Sequence, residues 1–324
     1  MPLNYTKTAL TQVNKKLIRT KLAEVVFPRF VKVDSQRVVG FDTKKYLTVN
    51  GAGTTDGGLI SAETTVFDSV DINFGSKSTT IRGWMKTVGW NNFALEKAKA
   101  TGVDIVSEKM AFLNKIANLT IQRVAFIGHP DDERLRGLLT SKEVKVINSV
   151  NASAAGIDMS KAIQDMTYDE ALTFFGRAFS IILDSIDEDE AGVVPNTIAI
   201  DAGDRRYLAS LKSKLPGATE TALEAIKRSL ENMADQSVAI LGVPQGFAKK
   251  AQEKVSRICI YHNSEEYVVM DIPLSPTIVA PKDIGLVSVQ TGMRAEFGGV
   301  TFKDERTAMY FDLPLATAKK SKGK

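Results

Sequence analysis

Cysteine and histidine are both scarce in this chain, and it has no long apolar run. Cys259 is the one cysteine among 324 residues, so no disulfide can form within the chain, which favours a reducing cytoplasm. No run approaches the roughly 20 apolar residues that a membrane span needs. The first 21 residues also lack the apolar core of a signal peptide. We therefore expect a cytoplasmic protein with no membrane partner.

Apolar residues are depleted between Phe41 and Arg82, where only 14 of 42 residues are hydrophobic. The segment reads as strands around a glycine-rich bend, "GAGTTDGG", with "GSKS" at 75–78 as a second turn. Because an isolated hairpin is marginal in water, we expect a neighbouring chain to order it. The candidates for this contact are Val66, Phe67, Val70, Ile72 and Phe74. The glycines expected to let the bend flex are Gly51, Gly53, Gly57 and Gly58.

Positive charge is concentrated at the two ends of the chain. Residues 1–50 hold ten Lys/Arg and three Asp/Glu, and residues 319–324 add four lysines. Since the whole chain carries +4, the body between them carries −7. Basic ends on an acidic body predict arms that contact a polyanion or a neighbour's acidic surface. Basic termini can equally serve only to keep a chain soluble. The tail lysines are Lys319, Lys320, Lys322 and Lys324.

The remaining sequence indicates an α+β chain. Apolar spacing predicts a long helix from Asn92 to about Thr120, followed by a short strand at "RVAFIG". Thr167 and Glu170 form the capping box of a further helix, and "NTIAID" reads as a strand. Another helix is predicted from Thr221 to Met233, and residues 277–313 read as all-β.

The stretch "GHPDDE" at 128–133 is similar to the zinc signature of N-deacetylases that act on amino sugars. A catalytic zinc needs about three protein ligands, and the only other histidine, His262, lies in "CIYHNSEE", which lacks the pattern of that family's second motif. A polar turn is the better interpretation, and the deacetylase stays a remote alternative. We predict no catalytic residues, no metal, no cofactor and no enzymatic activity.

Three longer stretches resemble the major capsid proteins of tailed bacteriophages, whose fold is named after phage Hong Kong 97. "DINFGSKSTTIRGWMKTVGWNNFALEKAKATGV" is similar to the limb of that family's extended loop that runs into its spine helix. "KIANLTIQRVAFIGHPDDERLRGLLTS" resembles the end of the spine helix and the Gly-Leu-Leu that follows it. The C-terminal return carries similar "IP…P", "FGGV" and "AMYFDL" elements. In this order the match covers about residues 40 to 314.

The resemblance implies a structural protein that self-assembles through hexamers and pentamers into an icosahedral head around double-stranded DNA. Expected partners are a separate scaffolding protein or none, a portal and decoration proteins, with the tail lysines facing DNA. The chain would be assembled in the host cytoplasm and end up in the virion. A nanocompartment shell protein of the encapsulin type is the alternative. Some relatives crosslink their subunits through a Lys–Asn bond, but nothing in this sequence identifies an Asn or a catalytic Glu that matches the lysines of the loop. We therefore do not predict crosslinking between subunits.

The same resemblance implies a division of the chain into domains. The fold would be of the Hong Kong 97 type, with an N-terminal arm, an extended β-hairpin loop, a peripheral domain that contains the spine helix, and an axial domain. The expected bounds are 1–38 for the arm, 39–88 for the extended loop, 89–160 and 276–316 for the peripheral domain, 161–275 for the axial domain and 317–324 for the basic tail.

Overall fold

A computed structural model describes most of the chain. It covers residues 23–36, 42–52, 71–93, 95–96, 104–185, 193–213, 219–285 and 287–316, with the backbone alone at 48–52 and 71–74. The strands are β1 (Lys32–Asp34), β2 (Thr43–Ala52), β3 (Asp71–Asn91), β4 (Lys145–Ile147), β5 (Thr197–Asp201), β6 (Ala239–Val243), β7 (Val255–Tyr261), β8 (Val268–Asp271), β9 (Leu274–Asp283), β10 (Ser288–Gly298), β11 (Val300–Phe302) and β12 (Ala308–Pro314). The helices are α1 (Ile105–Ile127), α2 (Tyr168–Asp184), α3 (Ala202–Ser210), α4 (Ala222–Ala234) and α5 (Phe247–Lys250).

The described residues fall into two compact units. The larger takes its residues from 26–82, 121–274 and 296–316, and the smaller from 23–25, 83–120 and 275–295. The strands form a five-stranded sheet in the order β4-β12-β7-β5-β6, a three-stranded sheet β1-β8-β11 and a four-stranded sheet β2-β3-β10-β9. The mixture of helices and mixed sheets confirms the predicted α+β class.

The five-stranded sheet carries the main core of the larger unit. β12 pairs parallel with β4 and antiparallel with β7, so the last described strand lies in the interior of this sheet. Helix α2 begins at the predicted capping box, in which the Glu170 N–H donates to the Thr167 hydroxyl. Its buried side chains include Phe175 and Phe179, which join the same apolar cluster as Ile258 and Phe311 from the sheet. The predicted α2 and α4 are both confirmed, each with a Thr–Glu capping box.

A buried ion pair joins two neighbouring interior strands of that sheet. Arg257 of β7 stands opposite Asp312 of β12. The Arg257 guanidinium donates to both carboxylate oxygens of Asp312 at 2.7 Å, and also to the Leu139 carbonyl at 3.0 Å. Because both side chains are buried, each depends on the other for compensation of its charge.

The smaller unit has a much smaller core. Its buried cluster consists of Leu113, Ala117 and Met293, with Trp84 and Val88 partly buried against it. Leu113 and Ala117 are four residues apart on α1, which places both on one face of the helix. So small a cluster leaves many apolar side chains of this unit in contact with solvent.

Two local predictions were wrong. "RVAFI" at 123–127 is not a strand but the last turns of α1, which runs to Ile127. Its buried residues Ile121, Val124 and Ala125 follow Ala117 at helical spacing, so the apolar run is one buried helix end. "GSKS" at 75–78 does not turn the chain, because it lies within β3 and pairs with residues 45–48 of β2. Pairing across the strands overrides the local turn preference there.

Two motifs of the sequence meet in the larger unit. The Val300 N–H donates to the Arg136 carbonyl at 2.7 Å, which brings "FGGV" onto "RGLL". The Leu138 N–H donates to the Ala125 carbonyl, so the same segment also closes against the end of α1. A Cβ at Gly299 would lie 2.6 Å from the Arg136 carbonyl oxygen. Only glycine allows so close a backbone approach.

Replacing this glycine is expected to destabilise the chain. Gly299→Ala forces a methyl group against the Arg136 backbone, and we expect a loss of about 1–3 kcal/mol in the free energy of unfolding, measured by urea denaturation. Gly176→Ala is the matched control, since nothing lies within 4 Å of a Cβ there and the residue is inside α2. That control should gain about 0.5–1 kcal/mol. Equal stability of the two variants would contradict the close approach at Gly299.

Candidate assembly surface

β2 and β3 form a long antiparallel hairpin ladder. The register runs from Thr43 opposite Thr80 to Ala52 opposite Asp71. Ten pairs at strand spacing make the ladder about 30 Å long. Gly51 and Ala52 of the predicted glycine-rich bend belong to β2, and its residues 53–58 lie outside the described ranges.

The base of the hairpin, which comprises residues 43–47 of β2 and 75–82 of β3, has one buried and one exposed face. Along β3, Thr79 and Ile81 are buried, whereas the alternate positions Ser76 and Ser78 are exposed. On β2, Leu47 stands opposite Ser76 and is 80% exposed. A large apolar side chain on a solvent face needs a partner to be buried. No local sequence pattern singles out Leu47, because its exposure depends on which face of the strand packs against the body.

The residues predicted to contact a neighbour lie mostly outside the described ranges. Val66, Phe67 and Val70 fall there, as do Gly53, Gly57, Gly58 and the tail lysines 319, 320, 322 and 324. The backbone is described at Ile72 and Phe74, which pair with Gly51 and Val49 respectively. Along the ladder these two pairs lie four and two residues from the exposed pair of Leu47 and Ser76, so all three pairs occupy every second position.

Ion pairs attach the hairpin base to the body of the larger unit. Lys77 of β3 contacts Glu143 at 3.2 Å and also forms a short ion pair with Glu305. Burial lowers the pKa of Lys77, but hydrogen bonds to Glu305 and Glu143 outweigh it and raise that pKa above 10.5. The hydrogen bond from Lys77 in turn holds the pKa of Glu305 below 4.5.

The turn that resembles a zinc signature is part of the same attachment. The Asp132 carboxylate accepts from Arg82 of β3 at 2.8 Å and from Arg134 at 3.0 Å, so two guanidinium groups occupy it. The His129 ring nitrogen Nδ1 accepts from the Asp131 N–H, which keeps that ring within the turn. His262 instead contacts the Val194 carbonyl. Among the described residues, no three His, Cys, Asp or Glu side chains are grouped as a metal site would require.

One cavity of about 390 Å³ lies at the start of α2 in the larger unit. Its apolar lining comes from Ile157, Met166 and Phe174, and the charged Lys161 and Glu170 also line it. These two charged groups pair with each other at 2.6 Å. The lining residues include no histidine or cysteine.

Exposed apolar side chains are concentrated in the smaller unit. Of the described residues, eleven large hydrophobic side chains are exposed, and six of them belong to this unit although it is much the smaller. They are Met85, Phe93, Phe112, Ile278, Ile284 and Val287. We call these six residues the exposed apolar set. Where such side chains form a contiguous patch, the patch marks a protein–protein contact site.

The comparison with known families identifies the chain at the level of its family. A family model described as Major capsid protein matches residues 56–313. The chain belongs to the major capsid protein family. It is therefore a structural protein of a virus capsid, and the predicted Hong Kong 97-type fold is confirmed. As a capsid protein it is a component of the virion and associates with itself.

Solved structures show the same fold over nearly the whole chain. The capsid of Myoviridae phage XM1 is 12% identical, with a TM-score of 0.76, and the match covers 94% of this chain and 97% of that chain. A structure from Mycobacterium phage Adephagia is 10% identical, with a TM-score of 0.62 and coverage of 98% and 99%. A structure from Microbacterium phage Oxtober96 is 12% identical, with a TM-score of 0.59 and coverage of 96% and 97%. No curated protein sequence matches the chain. Within the described ranges, no helix is both long and apolar enough to cross a bilayer.

The attachment of the hairpin base through Lys77 should depend on pH. Since the pKa of Glu305 is lowered, its contribution is complete above 4.5 and is lost as pH falls through the lowered value. Since the pKa of Lys77 is raised, its contribution is complete below 10.5 and is lost as pH rises through the raised value. The stability difference between the native chain and Lys77→Gln should therefore be constant from about pH 5 to 9 and shrink in more acidic solution.

Urea midpoints measured across this pH range test the expectation. Lys45→Gln is the control, because Lys45 is an exposed lysine of the same hairpin and Ser78 stands opposite it. A stability difference for Lys77→Gln that stays unchanged in solution acidic enough to protonate Glu305 would show that Lys77 does not act through its ion pairs.

Proposed function

We propose that this chain builds an icosahedral phage head by self-assembly through hexamers and pentamers, and that the head encloses double-stranded DNA. The observation that supports this beyond family membership is the hairpin with apolar Leu47 on its solvent face. A neighbouring subunit that covers this face would bury the apolar side chains that the chain itself leaves exposed. Obligate interfaces of this kind bury about 2,000–5,000 Å².

The domains expected from the resemblance are proposed for the assembled shell. Residues 39–88 would be the extended loop, 89–160 with 276–316 the peripheral domain, and 161–275 the axial domain. The basic segments 1–38 and 317–324 would be arms. The exposed apolar set of the smaller unit lies almost wholly in the proposed peripheral domain, which supports a role of that domain in contacts between subunits.

The residues proposed to contact a neighbour through the hairpin come from the sequence prediction and from the strand pairing. Val66, Phe67, Val70, Ile72 and Phe74 would join Leu47 against the neighbour. Ile72 and Phe74 lie at every second position of β3 from Ser76, which is exposed at the base of the hairpin. Gly51, Gly53, Gly57 and Gly58 would let the bend adopt slightly different conformations in pentamers and hexamers.

The remaining partners follow from the assembly of a head in the host cytoplasm. A separate scaffolding protein or none, a portal and decoration proteins are proposed, and no enzymatic activity or cofactor. Lys319, Lys320, Lys322 and Lys324 would face packaged DNA and attract its phosphates without sequence preference.

A charge placed on the exposed face of the hairpin should prevent assembly. In Leu47→Asp a carboxylate would have to be buried without a partner at every copy of the interface, and an interface anchor lost in this way costs about 2 kcal/mol or more. We expect negative-stain microscopy of the purified chain to show closed shells for the native sequence and unassembled subunits for Leu47→Asp. Val150→Asp is the matched control, since Val150 is 89% exposed and lies outside the hairpin. Shells of normal size and yield from Leu47→Asp would contradict the proposed contact.

Removal of the basic tail tests the contact with DNA separately. A chain ending at residue 318 should still form shells, but the affinity of the inner surface for DNA should fall and depend less steeply on salt. Measuring DNA co-purified with shells between about 50 and 200 mM salt checks this. Identical retention in the full and shortened chains would exclude a role of these lysines.

A further inference from the structure

A second ionic cluster holds the hairpin base, and it is more deeply buried than the Lys77 pairs. Lys44 of β2 lies 2.5 Å from Asp34 Oδ2 and 2.9 Å from Asp271 Oδ1. The Tyr46 hydroxyl donates to the same Asp271 oxygen at 2.6 Å. Lys303 lies over the Tyr46 ring, 4.8 Å from its centroid. We call Asp34, Lys44, Tyr46 and Asp271 the Lys44 cluster.

The two carboxylates of the cluster are brought together by strand register. β1 pairs parallel with β8, and its last pair is Asp34 with Asp271. Like charges at paired positions of neighbouring strands repel each other, so the pairing of β1 with β8 needs a cation at this point. Lys44 contacts both carboxylates from the adjoining hairpin strand. The hairpin base therefore supplies the charge that the end of the β1–β8 pair requires.

Burial decides which attachment of the hairpin base is the strongest. The Lys44 side chain is 12% exposed, and Asp34 and Asp271 are 13% and 1% exposed. The Lys77 side chain is 24% exposed, but its partners Glu143 and Glu305 are 59% and 48% exposed. Water and salt screen exposed pairs much more than buried ones. The Lys44 pairs are consequently the ones whose loss the protein can least compensate.

The second oxygen of Asp271 makes the cluster still more dependent on Lys44. Asp271 Oδ2 is buried and has no hydrogen-bond partner among the described residues. The carboxylate is thus compensated through Oδ1 alone, by Lys44 and Tyr46. Burial and the Asp271 hydrogen bond raise the pKa of Tyr46, so its hydroxyl remains a donor. Burial lowers the pKa of Lys44, but its hydrogen bonds to both aspartates outweigh this and keep it charged.

We infer that Lys44 is the positioning residue that fixes the base of the assembly hairpin on its own subunit before any neighbour arrives. The role of the hairpin in assembly rests on the proposed function, whereas the fixing of its base concerns the single chain. This changes the expectation from the sequence, which has the whole segment from Phe41 to Arg82 ordered by a neighbour. The described base would be ordered by its own subunit, and contact with a neighbour would be needed only further along the ladder.

Hydrogen exchange on the unassembled full-length chain tests the inference. The chain is kept below its assembly concentration and isolated by gel filtration, and amide exchange is followed in peptides that cover 43–47 and 75–82. In the native chain these amides should be protected. In Lys44→Gln they should exchange at least about tenfold faster, because two charge-assisted hydrogen bonds are lost. Peptides from β5 and β7 in the main core should be unchanged, since these strands lie in another sheet.

Two further variants separate the charge of Lys44 from its bulk. Lys44→Arg keeps the charge and should restore most of the protection. Lys45→Gln removes a neighbouring exposed lysine and should behave like the native chain. If Lys44→Gln protects the base as well as the native chain does, or if Lys45→Gln loosens it equally, the inference is wrong.

A variant that fails to fold would lose protection in the core peptides as well, and Asp34→Asn then decides the question. It removes one of the two carboxylates through which Lys44 holds the hairpin base and leaves the lysine in place, so faster exchange confined to the hairpin base would support the inference. Unchanged exchange at the base would overturn it. Microscopy of the same preparations, concentrated so that they can assemble, measures shell formation independently of hydrogen exchange. A native chain that forms no shells yet shows a protected, Lys44-dependent base would therefore count against the proposed function alone.

Discussion

The core of the larger unit depends on β12, the last of the described strands in chain order. β12 lies inside the five-stranded sheet, between β4 from the middle of the chain and β7. Its side chains Met309, Phe311 and Leu313 belong to the core that α2 and α4 cover. Because residues 308–314 supply an interior strand of this sheet, the core cannot close without them.

The Arg257–Asp312 pair makes the register of that last strand specific. A slip of one residue would move every side chain of β12 to the opposite face of the sheet. It would also leave two buried charges without compensation, which is strongly unfavourable. Apolar packing therefore favours the insertion of β12, and the ion pair selects one register. The carbonyl of Leu139, which also accepts from Arg257, couples the Gly-Leu-Leu segment to this choice.

Charge has a different role in the hairpin, where apolar residues are few. Lys44, Lys77 and Arg82 each contact carboxylates of the larger unit and so attach the two strands. Such pairs are directional, so they set where the base of the ladder lies, while Thr79 and Ile81 add buried contact. In the proposed shell, the hairpin has to reach a neighbouring subunit while the chain still folds by itself. An ionic base combined with an exposed apolar side chain such as Leu47 meets both requirements.

The sequence by itself determined the features whose causes lie within a few residues of each other. The capping box at Thr167, the helix that follows Thr221, the strand at 197–201 and the extended strands of the hairpin could all be predicted, as could the capsid family from the order of its motifs. Only the tertiary structure decided that "RVAFI" ends a helix and that "GSKS" lies within a strand. It alone also showed Leu47 exposed and Lys44 bound to two aspartates. Asp271 is 227 residues away from Lys44 along the chain. No local pattern encodes a contact at that separation, because it exists only once the strands that carry the two residues have paired.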